Sequence, residues 1–115
     1  MNRTGGPSWE DHDPEVQYRN LPDAPWQPSP GFQGVREWFD FVHEVGEKFR
    51  FDMDEISDLG PDRVLAVGRM WMRFRASGIE TEMPIAHVFK LRAGKVLRID
   101  SYHSREDALR ATPDA

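Results

Sequence analysis

Between Val64 and His103 apolar and polar residues alternate through three consecutive runs, Val64 to Ala76, Ile79 to Leu91 and Val96 to His103, joined at Ser77-Gly78 and Ala93-Gly94. A period of two marks a strand with one buried face, and Gly-containing pairs between such runs mark hairpin turns, so the pattern predicts a three-stranded antiparallel meander. One face collects Met70, Met72, Phe74, Met83, Ile85, His87, Phe89, Leu91, Leu97, Ile99, Ser101 and His103. Two imidazoles and a hydroxyl interrupt an apolar surface there, which is the make-up of a greasy pocket with a few polar groups at its floor. The other face carries charge. With Ser77-Gly78 as the turn centre, Arg75 faces Glu80 and Arg73 faces Glu82, and these cross-strand pairs help set the register. Solvation accounts for most of that face, while Trp71 beside Leu65, Val67 and Val88 supplies the apolar area that a homodimer contact uses.

A different period governs Gly31 to Phe49. Val35, Trp38, Phe39, Val42 and Phe49 recur at three- and four-residue steps, with Phe41 and Val45 widening the stripe and Arg36, Glu37, Asp40, Glu44 and Glu47 facing away. This is an amphipathic helix whose rings need the area of a sheet face, ended by Gly46 and Lys48. Ahead of it, Glu15 to Arg19 reads as a short strand with Val16 and Tyr18 on one side. The following loop holds Pro22, Pro25, Pro28 and Pro30, with Trp26 in their midst as an anchor over apolar surface. Phe49 to Leu59 alternates as a further strand, slipping at Glu55-Ile56 as a bulge would make it. Ser104 to Asp107 has capping-box spacing before a short helix ending near Ala111. The organisation expected is a flexible tail over 1–14, one domain over 15–111 and a short tail over 112–115.

A chain of 115 residues with formal charge −5 and no cysteine sets limits on function. The negative charge opposes a generic attraction to phosphate backbones, so nucleic acid is not expected as a partner. Without cysteine there is no disulfide, thiolate nucleophile or thiolate metal site. Met1 to Glu10 lacks the pattern of a signal peptide and no apolar run is long enough to cross a bilayer, which together predict a cytoplasmic protein without membrane association. No metal or organic cofactor is expected. Asp11-His12-Asp13 reads as solvated chain, and a site built from His87 and His103 has no evident third ligand.

The runs Gly34-Val35-Arg36-Glu37-Trp38-Phe39, Asp62-Arg63-Val64-Leu65, Met83 to Val96 and Ser101 to Leu109 resemble the SnoaL-like branch of the nuclear transport factor 2-like superfamily. The resemblance covers most of Val16 to Ala111. It implies an α+β fold: a cone-shaped barrel of a curved, mostly antiparallel sheet packed on one long helix, enclosing a pocket for a small, often apolar molecule. Members of this family normally begin with one or two helices, which in this chain are expected to be absent or truncated.

The family includes isomerases, cyclases, epoxide hydrolases and non-catalytic modules, so each position has to be compared separately. In the ketosteroid isomerase pattern His87 stands where an acidic residue donates to the oxyanion, and the loop carboxylate acting as base falls near Asn20, an amide. Tyr18-Arg19-Asn20 resembles the tyrosine and asparagine that hold water in limonene epoxide hydrolase, but the acidic and basic residues of that pattern fall on Met70, Gly68 and Ser101. The expected chemical residues are therefore His87, Tyr18, Asn20 and His103. The pocket lining expected around them is Trp26, Trp38, Met70, Met72, Phe74, Met83, Ile85, Phe89, Ile99 and Ser101. His87 has two readings at this point, a core histidine bonded to a backbone carbonyl or the polar group of a pocket floor that donates to a ligand. The functional expectation is binding of a small apolar molecule, with acid-base isomerase, lyase or cyclase chemistry at His87. Its alternative is a non-catalytic dimeric module with a vestigial pocket.

Overall fold

The computed structural model describes residues 12–21, 24 and 26–111. Five strands and two helices run in the order β1 (His12–Arg19), α1 (Phe32–Val45), β2 (Gly46–Asp58), β3 (Arg63–Phe74), β4 (Glu80–Arg92), β5 (Lys95–Tyr102) and α2 (Arg105–Arg110). They form one sheet in the order β1-β5-β4-β3-β2, antiparallel except that β1 lies parallel to β5. The expected α+β architecture, one long helix on a curved and mostly antiparallel sheet, is the one observed. The expected lack of front helices falls on residues 1–11, outside the described residues, as does Trp9.

Helix α1 lies across one face of the sheet because its aromatic stripe finds a matching surface there. Val35, Trp38, Phe39 and Val42 join Val16, Tyr18, Met72 and Ile99 in one buried cluster, with Phe49, Phe51, Phe74 and Phe89 packed against it. The start of the helix is tied back to the preceding loop. Gly31, at φ 79°, donates its N–H to the Val16 carbonyl at 2.7 Å, and both the N–H and the hydroxyl of Ser29 donate to the Glu37 carboxylate at 3.0 Å. A side chain at Gly34 would meet the Ser29 carbonyl oxygen at 1.6 Å, so only glycine lets the helix seat here.

At its other end α1 passes into β2 with no intervening loop, Gly46 being both helix cap and first strand residue in an extended conformation. Phe49, which the helical period includes, therefore lies on β2 and points its ring at Trp38 and Phe39 from the sheet. The helix ends at Val45, four residues before Phe49, and Arg75 satisfies carbonyls at its C-terminal end. The Arg75 guanidinium donates to the carbonyls of His43 at 2.9 Å and Gly46 at 3.3 Å, where the helix dipole is negative.

That use of Arg75 corrects the expected register of the β3-β4 hairpin. Arg73, not Arg75, stands opposite Glu80, and Trp71 stands opposite Glu82. Phe74 N–H donates to Ile79 O at 2.9 Å, which closes a longer loop, 75–79, than the two-residue turn expected. The slip foreseen at Glu55-Ile56 is a β2 bulge between Met53 and Glu55, facing Gly68 on β3. A Cβ on Gly68 would lie 2.0 Å from the Asp52 carbonyl oxygen, so the two backbones approach too closely for any side chain.

Two further expectations are corrected. His12 and Asp13, assigned to the flexible tail, are buried and begin β1, where Asp13 accepts from Arg92 at 2.8 and 3.0 Å. On the outer face, Leu65 and Val88 are not free for a partner. They form a second core with Ala86 and Ala108, roofed by α2 and flanked by Val67, Leu59, Tyr102 and Leu109. Ser104 caps α2 as its spacing predicted, its hydroxyl accepting from Asp107 N–H at 3.1 Å. Trp71 is left among charges, with the Arg50 guanidinium 4.8 Å from its ring and its indole N–H donating to Glu80 at 3.2 Å.

Candidate functional site

Four of the strands, β1, β2, β4 and β5, meet α1 around a cavity of about 240 Å³ on the inner face of the sheet. Helix α1 contributes Val35, Trp38 and Phe39; β2 contributes Phe51 and Met53; β4 contributes His87 and Phe89. Val96 and Ile99 from β5, and His12 and Tyr18 from β1, complete it. Strand alternation accounts for this gathering, since Phe51 and Met53, His87 and Phe89 are each two residues apart and so share a face. Trp38 and Phe51 stack with centroids 5.9 Å apart, and Tyr18 lies 4.8 Å from Trp38. Among the described residues no carboxylate lines the cavity.

His87 is the chemically unusual member. It sits on β4 between Ala66 and Ser101 of the neighbouring strands, 5 % exposed, with the rings of Phe51 and Phe89 edge-on at 5.3 and 6.0 Å. Its Nε2 is buried without a hydrogen-bond partner. Leaving such an atom unpaired costs about 1–3 kcal/mol. Burial disfavours the imidazolium and brings its pKa down to about 4, so the ring is neutral at physiological pH.

Tyr18 is also buried, and its phenolic oxygen accepts from the Ser101 hydroxyl at 3.1 Å. Burial pushes its pKa upward, against the opposing pull of the Ser101 bond, and the phenol stays protonated. Tyr18 and Trp38 form a shared wall with a second hollow of about 340 Å³ beneath the proline-rich loop. Asn20, Leu21, Ala24 and Trp26 line it from the loop, Phe41 and Val42 from α1, and Met70, Met72, Ile85, Ser101 and His103 from the sheet side. Trp26 holds the loop down through an edge contact with Phe41 at 5.4 Å.

The four residues expected to carry chemistry are thus not gathered in one place. His87 faces the first cavity, Asn20 and His103 the second, and Tyr18 stands between. Asn20 is occupied in shaping its loop: its side-chain oxygen accepts from Leu21 N–H at 2.9 Å, while its N–H donates to Gln27 at 2.8 Å. The expected lining divides likewise. Trp38 serves both hollows, Phe89 and Ile99 only the first, and Trp26, Met70, Met72, Ile85 and Ser101 only the second. Phe74 and Met83 line neither, Phe74 instead packing against the aromatic cluster. Sequence reasoning missed His12, Val35, Phe39, Phe51, Met53 and Val96 as lining residues; Val35 and Phe39 belong to the helical stripe and Phe51 and Met53 to the alternation of β2, whereas nothing around His12 signals burial. Among the described residues there is no group of three or more His, Asp or Glu placed to hold a metal ion. Nor is any helix among them long and apolar enough to cross a membrane.

Solved structures agree with this architecture. An NTF2-like protein of unknown function from Burkholderia pseudomallei superposes with a TM-score of 0.71 over 88 % of this chain and 79 % of its own, at 17 % identity. The chain has the nuclear transport factor 2-like fold. TerC, solved with polyporic acid, matches with a TM-score of 0.69 at 20 % identity over 91 % of this chain and 82 % of its own. A candidate SnoaL-like polyketide cyclase from a Jannaschia species matches with a TM-score of 0.67 at 17 % identity, over 93 % and 76 % of the two chains. No protein-family profile matches the sequence, and neither does any curated protein. Within this nuclear transport factor 2-like fold His87 is the one group lining the inner cavity with a buried side-chain atom that lacks a partner among the described residues.

Proposed function

We propose that this chain binds a small aromatic or otherwise apolar molecule in the inner cavity, through one hydrogen bond to neutral His87. The observation that carries the reading is the buried, unpartnered Nε2 of His87 in a cavity otherwise walled by apolar surface and aromatic rings. A ligand carbonyl or hydroxyl at that atom would remove the cost of the unpaired group, and stacking against Trp38 and Phe51 would supply affinity. Size is adequate. An engineered apolar cavity of about 150 Å³ takes up benzene, and this one measures about 240 Å³.

The same features favour binding over acid-base turnover. An imidazole that half-protonates near 4 is a weak base at neutral pH, and among the described residues no carboxylate shares the cavity. His87 therefore acts as a neutral hydrogen-bonding group that orients the ligand and, where the ligand is a ketone, polarises its carbonyl. Co-crystallisation of the similarly folded TerC with polyporic acid supports the general capacity of the fold to hold small organic molecules. Matched probes test the reading. 2-Naphthol should quench tryptophan fluorescence with at least tenfold tighter binding than naphthalene, and His87→Phe should erase the difference. Failure of both compounds to perturb the protein up to their solubility limits would refute it.

A further inference from the structure

On the opposite face of the sheet, β3, β4 and β5 form a separate cleft of about 220 Å³, lined by Arg63, Val88, Lys90, Arg98, Asp100 and Tyr102, with Ala111 completing it beyond α2. Arg63 stands directly opposite Lys90, and Lys90 directly opposite Arg98. Three cations therefore occupy one row across three strands, spanning roughly 10 Å. Like charges placed directly opposite are destabilising. Where cations face each other elsewhere in the sheet, at Lys48–Arg73 and Arg92–Lys95, a carboxylate offsets the pair: Arg73 meets Glu80, and Arg92 meets Asp13 and Glu15.

Among the described residues only one carboxylate lines the cleft. Asp100 accepts from Arg98 Nε with its two oxygens at 2.9 and 3.0 Å, and Arg63 and Lys90 have no carboxylate partner among the described residues. The site holds a local charge of +2 in a chain whose formal charge is −5. Beside these cations, burial first and then the charge of Asp100 push the Tyr102 pKa upward, which keeps its hydroxyl a donor. The repulsion in the row is relieved by an anion, and the converging donors suit one with two charges and several acceptor oxygens.

We propose that this outer cleft binds the phosphate group of a small molecule, with Arg63, Lys90 and Arg98 supplying charge-assisted hydrogen bonds and Tyr102 a neutral one. The phosphate of a nucleic-acid backbone is a poor candidate, because the overall negative charge repels a polyanion while the cleft admits one group. The site is independent of His87, whose side chain lies on the other face of the sheet.

The test uses the full chain at constant ionic strength with inorganic phosphate, phenyl phosphate or chloride, following the melting temperature and the amide signals of residues 63, 90, 98 and 102. Both phosphates should raise the melting temperature and shift those signals, and chloride should not. Lys90→Gln and Arg63→Gln should each weaken phosphate binding about fivefold, while leaving the melting temperature in chloride unchanged or higher as like-charge contact is relieved. Tighter binding of phenyl phosphate would identify an organic phosphate as the ligand, and equal binding would mean the phosphate group alone is read; either supports the site. Equal phosphate response in the parent and both variants overturns the proposal. So does loss of the response in His87→Phe.

Discussion

The two faces of this sheet solve opposite problems with the same strands. The inner face is aromatic and leaves room, and among the described residues it holds a buried side-chain atom without a partner, His87 Nε2. Away from the Arg63–Lys90–Arg98 cleft the outer face is covered or paired: α2 closes over Leu65, Ala86 and Val88, and ion pairs such as Arg73–Glu80 at 3.0 Å lace the strands. A folded chain gains from the second arrangement and loses from the first. The contrast teaches where stability has been given up, and vacancy combined with an unsatisfied group is what distinguishes a binding surface from a packing surface.

The comparison can be broken most severely at Leu65. This residue is fully buried, and Leu65→Ala should lower unfolding free energy by about 3 kcal/mol, read as a reduced urea midpoint with unchanged slope. A residue on the open face should behave differently. In the unfolded chain His87 titrates near 6.5 and in the folded protein near 4, so the unfolded state binds the extra proton between those values. Stability is then full above pH 6.5 and falls as pH drops toward 4, by up to about 3 kcal/mol. His87→Phe should flatten urea midpoints measured between pH 7 and 5, and should raise stability at pH 7 by about 1 kcal/mol as the unpaired nitrogen is removed. Midpoints of parent and variant that fall in parallel over that range would show that the imidazole is not desolvated as described. The smallest effect belongs to the outer ion pairs. Arg73→Ala should cost less than about 1 kcal/mol and lose its effect in high salt.

How far the chain could be read in advance follows the same division. Alternation revealed the meander and its inner residues, because period two depends only on which face is buried. It did not reveal depth along the strand. His103 and His87 share a face, yet they line different hollows because Tyr18 and Trp38 stand between. The β3-β4 register was misjudged because the turn signal Ser77-Gly78 is local, whereas the loop length answers to Arg75 reaching the end of α1, some thirty residues away in sequence. His12 and Asp13 look like solvated chain beside Pro14. Their burial depends on Arg92, 79 residues beyond Asp13, and no local pattern encodes that partnership.

The seamless passage from α1 to β2 at Gly46 has a mechanical consequence. The helix that roofs the inner cavity and the strand that forms part of its wall are one continuous lever, with Arg75 as a clasp at the joint. A lever without slack at one end can tip only at the other. Any tilt of the helix would therefore be resisted at the Gly31 end, by the Ser29–Glu37 hydrogen bonds and the Trp26–Phe41 contact. Those few contacts, rather than the aromatic walls, are what such a tilt would have to break.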